Sequence, residues 1–262
     1  MPDVCVAPVS GIRADAAQFH RAAGAGVPVL STSWRERTFA GVLYDLDGTL
    51  LDTATDIALA LNRALSEYGW TIIPESDVRL MIGRGGQVLV ERAAQLQQRT
   101  LGKAQLTEIV DRFYEHYGEL EARHEAVAQP YPGAVETLQR LKAAGLRNAV
   151  VTNKLYRFAV ELFDRLQLRD SIDLIVGGDT CERRKPDPQP LLHACTTLGL
   201  EPSKTLMVGD SINDVLAARA AGIPVVCVTY GYNEGQDPRS LPCDGWIDTL
   251  DELPALILPR TG

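Results

Sequence analysis

The chain has 262 residues, 45% of them hydrophobic and 23% charged, the balance of a folded globular protein and not of a disordered one. A formal net charge of -8 repels nucleic acid and anionic lipid, so neither is an expected partner. The cysteines (Cys5, Cys181, Cys195, Cys227 and Cys243) are odd in number and include no CxxC pair, which speaks against a disulfide framework or a structural zinc and fits reduced thiols in a cytoplasmic protein.

Residues 1–38, rich in Ala, Gly, Ser and Pro without a sustained period, read as a flexible leader with neither an export signal nor a membrane span. The first strand is predicted at 41–46. Residues 53–130 then carry apolar residues at three-and-four spacing over 53–68, 75–81, 87–98 and 106–121, which predicts a small helical cap. Beyond it, β-rich runs at 148–152, 172–176, 205–209 and 224–229 alternate with amphipathic helices at 132–144, 155–168, 188–198 and 212–221, several closed by glycine. Nearly continuous apolar strands alternating with helices predict a doubly wound α/β core with a parallel sheet, residues 39–52 and 131–262. The first two strands lie about 100 residues apart where one helical crossover takes about 30, which is what marks 53–130 as an insert.

Polar groups gather at the predicted C-terminal strand ends, where an open α/β sheet binds ligands. Asp45-Leu46-Asp47-Gly48-Thr49 offers two carboxylates two residues apart: Asp45 as a nucleophile forming an acyl-phosphate, and Asp47 as the acid and base that serves the leaving oxygen and then water. Thr152 and Asn153, at the next strand end, suit phosphoryl oxygens. Lys185, stiffened in its loop by Pro186 and Pro188, would pair with Asp45 and balance charge developing on phosphorus. Asp210 and Asp214 add carboxylates around a strand-to-helix turn. So many hard oxygen donors around one lysine and a phosphate imply Mg²⁺, held by Asp45, Asp210 and the backbone carbonyl of Asp47, with Asp214 either a ligand or a support behind one. A lone pair of acids or a lone Lys-Pro is an ordinary structural feature; the four segments together point to phosphoryl transfer.

The order of these segments resembles the haloacid dehalogenase superfamily of phosphohydrolases over residues 39–250, with the helical stretch placed as that superfamily places its cap. The resemblance implies a nucleophile at Asp45, acid and base at Asp47, phosphate binding by Thr152, and Lys185, Asp210 and Asp214 organising charge and Mg²⁺. The flanks 41–52, 177–180, 184–188 and 228–233 look like the bacterial phosphoglycolate phosphatases, which implies hydrolysis of 2-phosphoglycolate, a small phosphorylated metabolite, by a monomer or homodimer; Thr49 is placed with the substrate-binding residues. Alternatives are a sugar-phosphate phosphatase, such as one acting on N-acetylmuramic acid 6-phosphate, and a sugar phosphomutase. A receiver-type signalling module needs neither Asp47 nor a cap, and a dehalogenase attacking carbon has no use for the acid at Asp47.

Two loops have double readings. Arg84, between Gly83 and Gly85, is either a cation for a substrate carboxylate or a solvated loop arginine. Tyr230-Gly231-Tyr232-Asn233 either lines the mouth of the site or forms a turn with aromatic packing. His193 and Cys195 point in different directions on a helix and are not expected to bind metal; Tyr114 and Tyr117 are expected in helix packing.

Overall fold

The structure is a computed structural model that describes residues 37–259. All of the expected leader except Arg37 and Thr38, and with it Cys5 and His20, lies outside the described residues.

Six strands form the main sheet: β1 (Gly41–Tyr44), β4 (Arg147–Val151), β5 (Leu174–Val176), β6 (Thr205–Gly209), β7 (Val225–Val228) and β8 (Gly245–Ile247). Their order is β5-β4-β1-β6-β7-β8, with every neighbour parallel. The chain lays down β1, β4 and β5 to one side, then returns across β1 to lay down β6, β7 and β8. The switch beside β1 leaves a crevice at the C-terminal ends of the central strands. Helices α5 (Ala134–Ala143), α6 (Tyr156–Arg165), α7 (Gln189–Leu198), α8 (Ile212–Ala221) and α9 (Leu253–Ile257) complete the core, and α7 and α8 stop at Gly199 and Gly222 in the left-handed conformation.

Alternation along β1 sorts the two faces of the sheet. Val42 and Tyr44 pack with Leu138, Phe163 and Leu250, whereas Leu43 packs with Leu191, Met207 and Val215. All are buried, as a sheet covered on both faces requires. The final strand and helix were not expected: three residues around Trp246, flanked by aspartates, give too short a pattern to stand out from a loop.

Between β1 and β4 lie α1 (Ala54–Glu67), α2 (Glu75–Arg79), α3 (Gly86–Leu96) and α4 (Lys103–Ala122), with their own core of Leu61, Leu65, Val90, Ile109 and Phe113. None of the described helices is long and apolar enough to cross a membrane. Two short antiparallel strands, β2 (Leu51–Asp52) and β3 (Gln129–Pro130), bring the outgoing and returning chains together. Two-residue strands have no periodicity to read. Asp56 closes this stem: its carboxylate, buried on α1, accepts the backbone N–H groups of Val127 at 2.8 Å and Ala128 at 3.0 Å. Asp56→Ala leaves both donors without that partner, and a loss of about 1 to 3 kcal/mol in urea denaturation is expected, mostly from the buried Ala128 N–H, since Val127 is exposed and can turn to water.

Candidate active site

Asp45 is the first residue past β1, its N–H still on the sheet ladder to Val208 O at 2.9 Å. Its Oδ1 accepts the Leu46 N–H at 2.7 Å and lies 2.9 Å from Lys185 Nζ. The same ammonium reaches Asp214 Oδ1 at 2.6 Å. Asp210, past β6, accepts the Thr49 hydroxyl at 2.8 Å and the Tyr232 N–H at 2.6 Å. Asp214, in the first turn of α8, takes the Ser211 hydroxyl at 2.7 Å in a capping box and, through Lys185, joins the site as well.

Carboxylate oxygens of Asp45, Asp210 and Asp214 all lie within 4.8 Å of one another, and all three residues are buried. Burial raises the pKa of Asp45; Lys185 pulls it back, and Asp214 pushes it up again. Asp210 is driven well up by burial, then by Asp45 and Asp214. Burial alone would lower Lys185, but Asp214 and Asp45 outweigh it and the net shift is upward. One ammonium thus faces three buried carboxylates, an arrangement that lacks positive charge. Three convergent hard oxygen donors suit a divalent ion of the Mg²⁺ type and not a thiolate- or imidazole-loving metal.

The Asp47 side chain lies outside this cluster; the expectation there concerned its backbone carbonyl. Its carboxylate accepts the Thr53 hydroxyl at 2.7 Å and the Lys154 ammonium at 3.0 Å. Asp45 and Asp47 open onto a cleft between core and insert, whose core side carries Thr152, Asn153 and Lys154 and whose insert side includes Ile82, Gly85, Phe113 and Tyr117.

Thr152 and Asn153 lie on the cleft, just past β4. Asn153 also has structural work: its amide donates to Gly83 O at 2.9 Å and Lys185 O at 3.0 Å, tying the insert and the lysine loop to β4. Thr49 is not among the residues that line the cleft. After Gly48 the chain folds back, with the N–H groups of Leu50 and Leu51 on Leu46 O, so Thr49 is fully buried behind Asp210 and supports it. Arg84 is engaged by the protein itself in this structure. Its side chain, 44% exposed, pairs at 3.1 Å with Glu234 on the loop after β7, which Arg92 joins at 2.7 Å. The neighbouring Gly83 and Gly85 line the cleft in its place, at φ of 121° and 83°, backbone conformations that favour glycine.

The Tyr230–Asn233 loop is a packed turn that also serves the site. Tyr230 donates to Thr49 O at 2.8 Å, and Tyr232 donates its hydroxyl to Asp52 at 2.5 Å while its N–H holds Asp210. His193 is exposed and Cys195 buried, in keeping with their different directions on α7. Lys154 and Tyr117 were missed as cleft residues. Lys154 follows Thr152 and Asn153 directly, which was the available signal; nothing local told the contact of Tyr117 with the core from ordinary helix packing.

Residues 42–228 match the haloacid dehalogenase-like hydrolase family. The chain is 42% identical over 226 residues to the phosphoglycolate phosphatase of Nitrosospira multiformis, covering 82% of this chain and 94% of that protein. It is 38% identical over 227 residues to phosphoglycolate phosphatase 1 of Pseudomonas aeruginosa, covering 83% and 82%. Among solved structures, that of a predicted phosphoglycolate phosphatase from Haemophilus somnus superposes with a TM-score of 0.77 at 32% identity, covering 83% of this chain and 97% of that one.

Gly48 shows how tightly the Asp45–Thr49 turn is packed. Its φ is 87°, and a Cβ there would meet Asp210 Oδ2 at 2.5 Å and the Tyr232 ring at 2.9 Å. Gly48→Ala is expected to displace the Asp210 carboxylate and to lower kcat/KM by about 100-fold or more, with a melting temperature lower by several degrees, read from steady-state kinetics and calorimetry.

Proposed function

Since the chain belongs to the haloacid dehalogenase-like hydrolase family and is a phosphoric monoester hydrolase, we propose that it hydrolyses 2-phosphoglycolate to glycolate and phosphate, with Mg²⁺, through an aspartyl-phosphate on Asp45. The observation that carries this reading is the junction of two groups at one strand end: Asp45 beside Asp210, Asp214 and Lys185, and Asp47 two residues on, opening to the same cleft. The substrate rests on relatives named phosphoglycolate phosphatase that are about 40% identical over most of their length.

Asp45 attacks phosphorus as the ester P–O bond breaks, and Asp47 gives its proton to the departing alkoxide. The acyl-phosphate divides the hydrolysis into two displacements. Asp47, now ionised beside Lys154, takes a proton from the water that attacks phosphorus in the second step, which frees Asp45 and inorganic phosphate. Lys185 holds Asp45 in place and balances the added charge. Asp45, Asp210 and the Asp47 carbonyl would hold Mg²⁺, with Asp214 either a further ligand or a support behind one, and the ion would supply Lewis-acid neutralisation of the phosphoryl oxygens. Thr152, with backbone donors at the end of β4, is the phosphate contact. The helical insert acts as the cap that shields this chemistry from bulk water.

Asp45→Asn is expected to lose at least about 10⁴-fold in kcat, and wild-type turnover is expected to vanish in excess EDTA and return with Mg²⁺. Retained phosphate release by the asparagine variant, freed of contaminating phosphatases, would overturn the mechanism. Preference for an amino-sugar 6-phosphate over phosphoglycolate in kcat/KM would overturn the substrate alone. Glu234→Gln, which weakens the ion pairs to Arg84 and Arg92 across the cap and core, is expected to raise KM by about 2- to 5-fold with kcat little changed, the scale of partly exposed ion pairs.

A further inference from the structure

With Arg84 engaged by Glu234, a carboxylate on the substrate needs another cation. Among the described residues that line the cleft, the charged ones are Asp45, Asp47 and Lys154. Lys185 sits behind Asp45, its ammonium spent on Asp45 and Asp214. Lys154 is therefore the cation presented to the cleft, and we propose that it is the specificity-determining residue that selects phosphate esters whose leaving alcohol carries a carboxylate. This deepens the phosphatase reading and rests on it.

Position supports the assignment. Lys154 Nζ lies 3.0 Å from Asp47 Oδ1, and Asp47 is the group that protonates the leaving oxygen. In phosphoglycolate a single methylene separates that oxygen from the carboxylate carbon. A cation adjoining the acid is thus on the leaving-group side, within the span of so short an alcohol. A cation on the phosphate side, as Lys185 is, would not distinguish one alcohol from another.

The surroundings give the charge its force. The Lys154 side chain is 7% exposed, and its ammonium stands over the Tyr117 ring, 4.4 Å from the centroid. Phe113, Leu155 and Phe158 make the rest of that region apolar, so a second anion meets little competing water. An ammonium has three donors, and Asp47 is the hydrogen-bond acceptor shown for it. The Tyr117 hydroxyl is buried on the same cleft and interacts with the Lys154 ammonium, so the lysine and the phenol form one polar spot in an otherwise apolar wall. A neutral alcohol of the same length would leave the ammonium without a second anionic partner, and that difference is what a site of this kind discriminates.

The test compares kcat/KM, at saturating Mg²⁺, for 2-phosphoglycolate and 2-hydroxyethyl phosphate, which has a hydroxymethyl group in place of the carboxylate. Full-length wild type, Lys154→Met and Lys154→Arg are assayed. Wild type is expected to prefer phosphoglycolate. In Lys154→Met that preference is expected to fall by about 30-fold or more, the scale of one lost charge-assisted hydrogen bond, while Lys154→Arg keeps more of it. Any service Lys154 gives to Asp47 affects both esters alike and cancels in the ratio. Equal losses on both esters with the preference intact would overturn the proposal and make Lys154 a positioning residue for Asp47. Wild type hydrolysing both esters equally would overturn it too, leaving the phosphatase reading standing. Release from neither ester would overturn that reading and this one with it. Should Lys154→Met fail to fold by circular dichroism, wild type decides: competitive inhibition by glycolate at concentrations where ethylene glycol has no effect supports the proposal, and equal inhibition by the two rejects it.

Discussion

The structure turns on three carboxylates held out of water around one ammonium. Asp45, Asp210 and Asp214 would repel one another at any such spacing in a medium of low polarity, and Lys185 neutralises only part of that charge. The surrounding fold is what makes the cluster tolerable. Strands β1 and β6 are paired neighbours, so Asp45 and Asp210 emerge side by side. The first turn of α8 turns Asp214 back onto its own backbone through Ser211, while Thr49 and Tyr232 donate to Asp210. Each carboxylate receives fixed donors in exchange for lost water. The positive charge still lacking is what the proposed divalent cation would supply.

Support for the cluster arrives from remote parts of the chain. The loop after β7 supplies Tyr230 and Tyr232, one bracing Thr49 and the other linking Asp210 to Asp52 at the stem of the insert. Arg79 of α2 in turn holds Asp52. Asn153 binds the insert at Gly83 and the lysine loop through the Lys185 carbonyl. The same backbone and side-chain bonds that place the insert thus also brace the carboxylate cluster and the lysine loop.

Much of this was legible along the chain because it is local. The alternation of apolar strands with helices gave the parallel sheet, and the end of helix 212–221 was marked by Gly222, a local stop signal. Asp45, Asp47, Lys185, Asp210 and Asp214 stood out through short motifs at strand ends. The differences between expectation and structure were of another kind. Thr49 was grouped with the substrate because it adjoins the acids, yet the turn after Gly48 carries it beneath Asp210. Arg84 looked like a substrate cation because glycines flank it, yet its partner, Glu234, lies 150 positions away.

Composition, periodicity and motif spacing thus determined the layered α/β architecture, the helical character of 53–130 and the inventory of acids, hydroxyls and lysine proposed for phosphoryl transfer, all of which depend on residues within a few turns of one another. Tertiary structure alone decided which charges meet. It set Glu234 against Arg84, Lys154 against Asp47, and Tyr117 across the cleft from the core, because a side chain's partner depends on where distant segments cross, and no local pattern encodes that distance.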